Sequence, residues 1–220
     1  MSILRAIGNK LSMPLAVVAA MTVAMSDPCS AAAGRMSSVP TLEEIRQVNL
    51  RLPAMLSAQA DLVEDAPVIV RLEKKLIWSS QASSARLLLP VSIRYSGIIN
   101  SYCRLATASE GVKEIVLVPL PAQANADDCR AVSDLHYMEI NGDGIQDLVE
   151  GIRVKSNVGS FQVVTPLVYV SSPTAESGYC YSEAASGQLA PADLHAEENI
   201  RKALEKAKKR LGVTVFDCVP

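Results

Sequence analysis

This sequence has few aromatic residues and few histidines, and each shortage disfavours a class of protein. Of 220 residues, one is Trp, two are Phe and six are Tyr, so a stacked aromatic platform for carbohydrate is not expected. Only two histidines are present, His136 and His195, far apart in the chain. Basic residues are outnumbered, 21 Lys and Arg against 23 Asp and Glu. This argues against nucleic acid as a partner, because phosphate binding needs a basic excess.

The sequence motifs that carry catalysis are missing as well. There is no Gly-x-Ser-x-Gly elbow, no His-Glu-x-x-His pair, no phosphate-binding loop and no dinucleotide fingerprint. His195 falls in the first turn of a predicted helix, where a cationic imidazolium would oppose the helix dipole. No residue is nominated as catalytic, and an enzyme of this sequence would need a site built from dispersed residues.

The first 33 residues have the three parts of a secretory signal peptide. Arg5 and Lys10 give a positive start, and the apolar run 13–25 that follows is too short to span a bilayer. Three alanines at 31–33 supply small residues for cleavage, which makes Gly34 the predicted mature N-terminus. We therefore expect export to the periplasm or beyond, with no transmembrane segment after cleavage.

Cysteine usage agrees with export. Of five cysteines, Cys29 lies in the segment to be removed, and an even number remains in the single domain predicted over residues 34–220. An even number in an exported chain predicts two disulfides, and no Cys-x-x-Cys spacing supports a zinc knuckle or a redox pair. Of the possible connectivities we favour Cys103–Cys129 and Cys180–Cys218, because each then closes a moderately short loop.

An N-terminal helical segment is predicted by a capping box followed by a helical repeat. Thr41 as N-cap is followed three residues later by Glu44, and apolar residues then recur at helical spacing up to Leu52. Pro53 is expected to break or restart this helix, because proline lacks the N–H that a helix interior needs.

The rest of the chain is predicted to be mainly antiparallel strands, closed by one helix. Apolar runs bounded by turn residues follow from residue 67 onward, and Pro166 within one run indicates a strand edge or a bulge. An apolar stripe between Leu194 and Leu211 predicts a C-terminal helix, and a final strand is expected at 213–216. The predicted fold class is therefore α+β: a mainly antiparallel β domain with an N-terminal helical segment and a C-terminal helix, stapled by disulfides.

The predicted C-terminal helix is rich in charge. Ion pairs at i,i+4 spacing are expected at Glu197–Arg201, Glu198–Lys202 and Glu205–Lys209. Its last turn is crowded with basic residues: Lys206, Lys208, Lys209 and Arg210. These residues could form a docking patch, but they also complement the helix dipole, and we interpret them as a solvated face.

The most informative stretch is the acidic segment 139–150, in which carboxylates and an amide surround a Gly-Asp-Gly turn. Oxygen ligands at alternating positions of a tightly curled backbone suit Ca²⁺, which takes about six to eight oxygens in flexible geometry. We predict a structural calcium site with side-chain ligands from four residues, a backbone oxygen from a fifth and Glu150 as a further candidate. The first five are Glu139, Asn141, Asp143, Asp147 and, through its backbone oxygen, Ile145.

The spacing of this segment fits much of an EF-hand loop, but its flanks are predicted as strands. The Asn-Gly-Asp-Gly-x-x-Asp-Leu run at 141–148 instead resembles the calcium-binding hairpin of FG-GAP/VCBS-type repeats, in a single copy over 139–150. The resemblance implies Ca²⁺ held between two strands, and a single copy does not imply a β-propeller. The alternative is a hairpin turn without an ion, in which Asn and Asp tolerate positive φ and Gly supplies it.

Two classes of function remain open. The first is an exported periplasmic binding protein with a calcium-type loop. Its small size, export and lack of catalytic motifs are similar to the profile of periplasmic immunity proteins, which neutralise secreted bacterial toxins. Its partner would be a protein, and the acidic loops favour a basic secreted effector. The alternative is a periplasmic hydrolase with a dispersed site.

Overall fold

The computed structural model describes residues 39–59, 68–72, 76–80, 85–95, 101–121, 129–155 and 162–218. The predicted signal peptide lies outside these residues and stays a prediction. Helix α1 (Leu42–Gln59) is followed by strands β1 (Val68–Leu72), β2 (Ile77–Ser80), β3 (Ala85–Tyr95), β4 (Ser101–Ser109) and β5 (Ile115–Leu117). Then come β6 (Cys129–Met138), β7 (Asp147–Lys155), β8 (Gln162–Ser171), β9 (Tyr179–Tyr181), α2 (Glu183–Ser186), a 3₁₀ turn (Pro191–His195) and α3 (Glu197–Leu211).

These strands form two antiparallel sheets. In the first sheet β3 pairs with β4 on one side, while β1 and β2 pair with different halves of its other side, and β5 adds to β4. The second sheet is a meander in the order β6-β7-β8-β9. Together with the helices at either end, the sheets confirm the predicted α+β class.

The two sheets share a core, because strand alternation divides the apolar residues of each strand between two faces. In β3, Leu88 faces the second sheet, whereas Leu87 and Leu89 face α1. In β7, Leu148 lies in the shared core and Val149 lies on the outer side. Both sheets are therefore apolar on both faces, and each needs cover on its outer side.

The helices supply that cover. Val48, Leu52 and Leu56 of α1 are spaced four residues apart and are buried against the first sheet. Ile200 and Leu204 of α3 are buried against the second sheet. The layers are therefore helix, sheet, sheet and helix.

Helix α1 begins as predicted but does not break. The Thr41 N–H donates to Glu44 Oε2 at 2.7 Å, and the Glu44 N–H donates to Thr41 Oγ1 at 3.2 Å, which confirms the capping box. The helix continues through Pro53, so the predicted break is wrong. Leu52 and Leu56 on either side of the proline are both buried, and this packing outweighs a local cost of about 3 kcal/mol.

The C-terminal helix starts later than the predicted stripe and ends where the sequence suggests. Pro191 begins a separate 3₁₀ turn, and α3 starts only at Glu197. Gly212 ends α3 with a φ of 70°, as its place after the apolar stripe suggests. Residues 213–216 do not form a strand, so that prediction is wrong. A strand needs a neighbouring edge to pair with, and this segment is held by a side chain instead, as described below.

Both predicted disulfides are present, Cys103–Cys129 and Cys180–Cys218. The first joins β4 to β6 and therefore links the two sheets, and the second ties the C-terminal segment to β9. Pro166 lies in β8 beyond the end of β9, which pairs only with residues 169–171. Among the described strands that side of Pro166 has no neighbour, which confirms the predicted edge position.

Among the helices that the structure describes, none combines the length and apolarity needed to cross a membrane.

Candidate functional site

The acidic hairpin, residues 139–146, connects β6 to β7 at one end of the second sheet. Its two glycines have positive φ, 78° and 76°, which lets the chain curl tightly. Glu139 Oε1 accepts the N–H of Gly144 at 2.8 Å, and Asp143 Oδ1 accepts the N–H of Ile145 at 2.9 Å. The hairpin is therefore closed by its own acidic side chains.

Asp147, directly after the hairpin, is fully buried and joins separate segments. Its Oδ2 accepts the N–H of Ile140 and its Oδ1 accepts the N–H of Ser171, both at 2.8 Å. The Ser171 hydroxyl donates to Asp143 Oδ2 at 2.6 Å, so one residue of β8 contacts two carboxylates. Burial raises the pKa of Asp147 to about 7, against the lowering effect of its N–H donors, and the charge of Asp143 adds to the rise.

Asn141 is directed away from the hairpin, towards the C-terminal segment. Its Nδ2 donates to the carbonyl of Phe216 at 3.1 Å, and its Oδ1 accepts the N–H of Phe216 at 2.9 Å. The amide thus pairs with one backbone residue as a neighbouring strand would. Lys208 of α3 adds a second link, because its Nζ donates to the Ile140 carbonyl at 2.5 Å and lies 5.8 Å from the centre of the Phe216 ring. The hairpin therefore anchors both α3 and the C-terminal segment.

Glu150 lies apart from the other predicted ligands. It is fully buried in β7, on the strand face that Leu148 shares with the core between the sheets. Asp147 is three residues earlier, so strand alternation points the two carboxylates to opposite faces. Burial first, and then the charge of Glu150, raise the pKa of Tyr137 and of Tyr169 above the ordinary tyrosine value. The structure does not bring Glu150 together with the hairpin.

The described residues contain no group of three His, Cys, Asp or Glu side chains placed to hold a metal ion. The oxygens of Glu139, Asn141, Asp143 and Asp147 instead accept hydrogen bonds from the backbone or from a hydroxyl. As arranged, these side chains do not form the oxygen cage that Ca²⁺ needs, and full ligation would draw Asn141 away from the C-terminal segment. Calcium binding by the hairpin stays a prediction.

A buried polar joint between the sheets lies beside the hairpin and was not predicted. The carbonyl oxygen of Gln146 is 2.8 Å from the Tyr179 hydroxyl and 3.2 Å from Ser79 Oγ, and the two hydroxyls are also in hydrogen-bond contact. Nearby, Thr107 Oγ1 donates to the Ser177 carbonyl at 2.7 Å. Ser79 follows Ile77, and Thr107 follows Leu105, on strand faces directed into the core between the sheets. A polar residue in line with buried apolar ones is the signal that could have revealed the joint.

The two histidines occupy different environments. His136 of β6 has its Nε2 2.7 Å from the carbonyl oxygen of Leu194, so this ring nitrogen is the donor and links the second sheet to the 3₁₀ turn. His195 is exposed at the end of that turn. His136 therefore has a structural contact of the kind that a strand histidine commonly makes.

No protein-family model, no curated protein and no solved structure matches this chain. The resemblance of residues 139–150 to an FG-GAP/VCBS-type hairpin rests on those residues alone and remains a prediction. Function has to be inferred from the contacts within the chain itself.

Proposed function

We propose that this chain is an exported periplasmic binding protein in which the acidic hairpin is a structural joint. The observation that supports this function is that the side chains able to act as an acid or a base are held in hydrogen bonds to the backbone. Asp147 is held by Ile140 and Ser171, and His136 is held by Leu194. A general base has to reach a proton of the substrate, and Asp147 is fully buried.

Rigidity supports binding in particular. The hairpin anchors β8 through Ser171, α3 through Lys208 and the C-terminal segment through Phe216. Two disulfides add further links. A surface that is already ordered loses little conformational entropy on association, so it suits tight recognition of another protein. Disulfides also persist in oxidising compartments, which supports export.

The form of binding that we propose is neutralisation of a secreted bacterial toxin, as an immunity or inhibitor protein. Such a protein has to reach the toxin's compartment and hold a surface in one shape, and it needs no turnover. The acidic residues near the hairpin offer less charge to a basic partner than their number suggests, because Asp147 is buried. Asp143 is exposed but is also hydrogen-bonded to Ile145 and Ser171.

The test compares protection with turnover. The full chain would be exported in a host that also expresses each neighbouring toxic gene product, and survival would be measured. The purified exported protein would be assayed in parallel on peptidoglycan, lipid and peptide substrates. We expect protection without turnover. Turnover that disappears in a folded His136→Gln or Asp147→Asn variant would overturn the proposal in favour of the periplasmic hydrolase.

A further inference from the structure

A groove of about 410 Å³ runs along α3. The segment before α3 contributes Asp193 to its lining, and α3 contributes Lys202, Ala203, Lys206, Ala207 and Arg210. Lys208, which contacts the hairpin, lies about 200° round the helix from both Lys206 and Arg210 at roughly 3.6 residues per turn. The basic cluster of the last turn therefore divides between an inward anchor and an outward groove.

The cations of the groove form one row, because Lys202, Lys206 and Arg210 are each four residues apart. At a rise of about 1.5 Å per residue, neighbours in the row are roughly 6 Å apart and the row is roughly 12 Å long. Lys202 contacts Glu198 at 2.6 Å. Within the described part of the chain, the side chains of Lys206 and Arg210 have no ion pair and no hydrogen bond.

The acidic residues of α3 pair with only one cation of this row, Lys202, which is also the only row member for which the sequence predicts a partner. Of the expected i,i+4 pairs, only Glu198–Lys202 lies within ion-pair distance in the described residues. Glu205 is 3.4 Å from Lys208 instead of pairing with Lys209. Two of the three cations in the row are therefore available to a partner.

The helix dipole accounts for only part of this arrangement. It favours basic residues within the last turn, which includes Arg210 but not Lys202. Ala203 and Ala207 also line the groove, and their small side chains leave space that larger ones would fill. A solvated helix face requires charge but not a depression beside it, so the row and the groove together indicate a binding surface.

We propose that this groove binds an extended acidic segment of the partner protein, an inference that rests on the proposed binding function. In an extended chain, alternate side chains point the same way and lie about 6.6–6.8 Å apart, close to the step between Lys202, Lys206 and Arg210. Among the described lining residues Asp193 is the single acidic one, and its Oδ2 accepts the N–H of Ala190 at 2.8 Å. The whole chain has a net charge of −2, so the attraction is local to the groove.

The test uses a fluorescein-labelled peptide of about eight residues that alternates Glu and Ser, titrated with the exported protein and followed by fluorescence anisotropy. The groove variant is Lys206→Glu/Arg210→Glu. The matched control, Arg201→Glu/Lys209→Glu, makes the same change of charge on exposed positions of the same helix outside the groove lining. We expect the groove variant to weaken binding about tenfold or more and the control to weaken it less than about twofold.

Equal losses in the two variants would overturn the inference, because they would indicate attraction to overall charge. Complete displacement of the peptide by millimolar inorganic phosphate would also overturn it, since the groove would then be a small-anion site. The protection assay separates this inference from the proposed function. If the groove variant protects as well as wild type, the groove inference is wrong and the proposed binding function still stands. If the wild-type protein fails to protect, the proposed function itself is wrong.

Discussion

Asn141 and Phe216 are joined by two hydrogen bonds across 75 residues of chain. The Asn141 side chain donates to the carbonyl and accepts from the N–H of the same residue, which is what an antiparallel neighbour would do. Residues 213–216 have a strand-like sequence but join no sheet among the described strands, because this contact takes the place of a neighbouring strand. The polar groups of Phe216 are satisfied by a side chain of the hairpin.

Asn141→Ala is therefore expected to lower the free energy of unfolding by about 1–3 kcal/mol, because each lost hydrogen bond contributes about 0.5–1.5 kcal/mol. Asn141→Asp should also destabilise, since it sets a carboxylate oxygen against the Phe216 carbonyl. Urea unfolding measures both effects, with Asn199→Ala on the exposed side of α3 as a control that should change little. If Asn141→Asp instead raised stability in the presence of Ca²⁺, the residue would be a metal ligand and the contact with Phe216 would be secondary.

Calcium binding by the hairpin is retained as a proposal with a smaller ligand set: Glu139, Asp143, Asp147 and the Ile145 carbonyl. A cation there would offset the like charges of Asp143 and Asp147, which help to raise the pKa of Asp147. We expect the melting temperature to rise in millimolar Ca²⁺ and to fall again with chelator. The gain follows RT ln(1 + [L]/Kd), with a Kd of roughly 10⁻⁴–10⁻³ M as in extracellular modules.

One variant in the hairpin and one in β7 make this calcium test specific. Asp143→Ala should abolish the response to Ca²⁺. Glu150→Gln should keep the response, because Glu150 lies on the opposite strand face in the core between the sheets. Identical melting of the wild-type protein in Ca²⁺ and in chelator would mean that the hairpin is a turn without an ion.

Features that depend on nearby residues could be predicted from the sequence. The Thr41–Glu44 capping box is local, and the buried stripe of α3 follows from helical spacing. The disulfide pairing follows from loop length, which is also a property of the chain alone. The capping box and the disulfide pairing are confirmed. Within the predicted stripe Ile200, Leu204 and Ala207 are buried, whereas Leu211 at its end is exposed.

Features that depend on distant partners could not be predicted in this way. Pro53 is tolerated in α1 because of packing on a sheet that the helix sequence does not reveal. The sequence does not show whether the side chain of Asn141 binds an ion or Phe216, because both need the same amide. Strand β9 is only three residues long, too short for a periodic pattern. The position of Glu150 was predictable, since alternation from Asp147 already places it on the other face.

The loss of stability on removing each disulfide should combine differently with the loss caused by Asn141→Ala. Each is expected to contribute about 2–5 kcal/mol to stability. Cys180–Cys218 restrains the segment that carries Phe216, so Cys180→Ala/Cys218→Ala combined with Asn141→Ala should show a coupling of about 0.5 kcal/mol or more. Cys103–Cys129 joins the two sheets elsewhere, so its removal should be additive with Asn141→Ala.

Urea unfolding of the exported protein gives these coupling energies, and mass spectrometry without reduction verifies that both bridges form in the wild-type protein. Additivity for both disulfides would show that Phe216 is held independently of the C-terminal bridge. Coupling for both would indicate a general loosening of the fold, and the segment-specific explanation would then be wrong.

The buried carboxylate of Asp147 should make stability fall as the pH rises towards neutrality. Its pKa in the folded protein is about 7, whereas an unfolded aspartate titrates near about 3.9. Between these values the folded state keeps a proton that the unfolded state has released. The free energy of unfolding is therefore higher at the acidic end of this window and decreases through it. Above about pH 7 both states are ionised, and this group adds no further change.

Carbon NMR of the Asp147 carboxyl group gives its pKa directly, and urea unfolding at about pH 5.5 and about pH 8 gives the stability difference. Asp143→Asn serves as the matched variant. By removing the neighbouring charge, it should lower the pKa of Asp147 and so lower the upper limit of the pH range over which stability decreases. Titration of Asp147 near its ordinary value would contradict the expectation. In that case the N–H donors of Ile140 and Ser171 stabilise the anion enough to cancel the effect of burial. The contribution of Asp147 to stability would then be the same on both sides of neutrality.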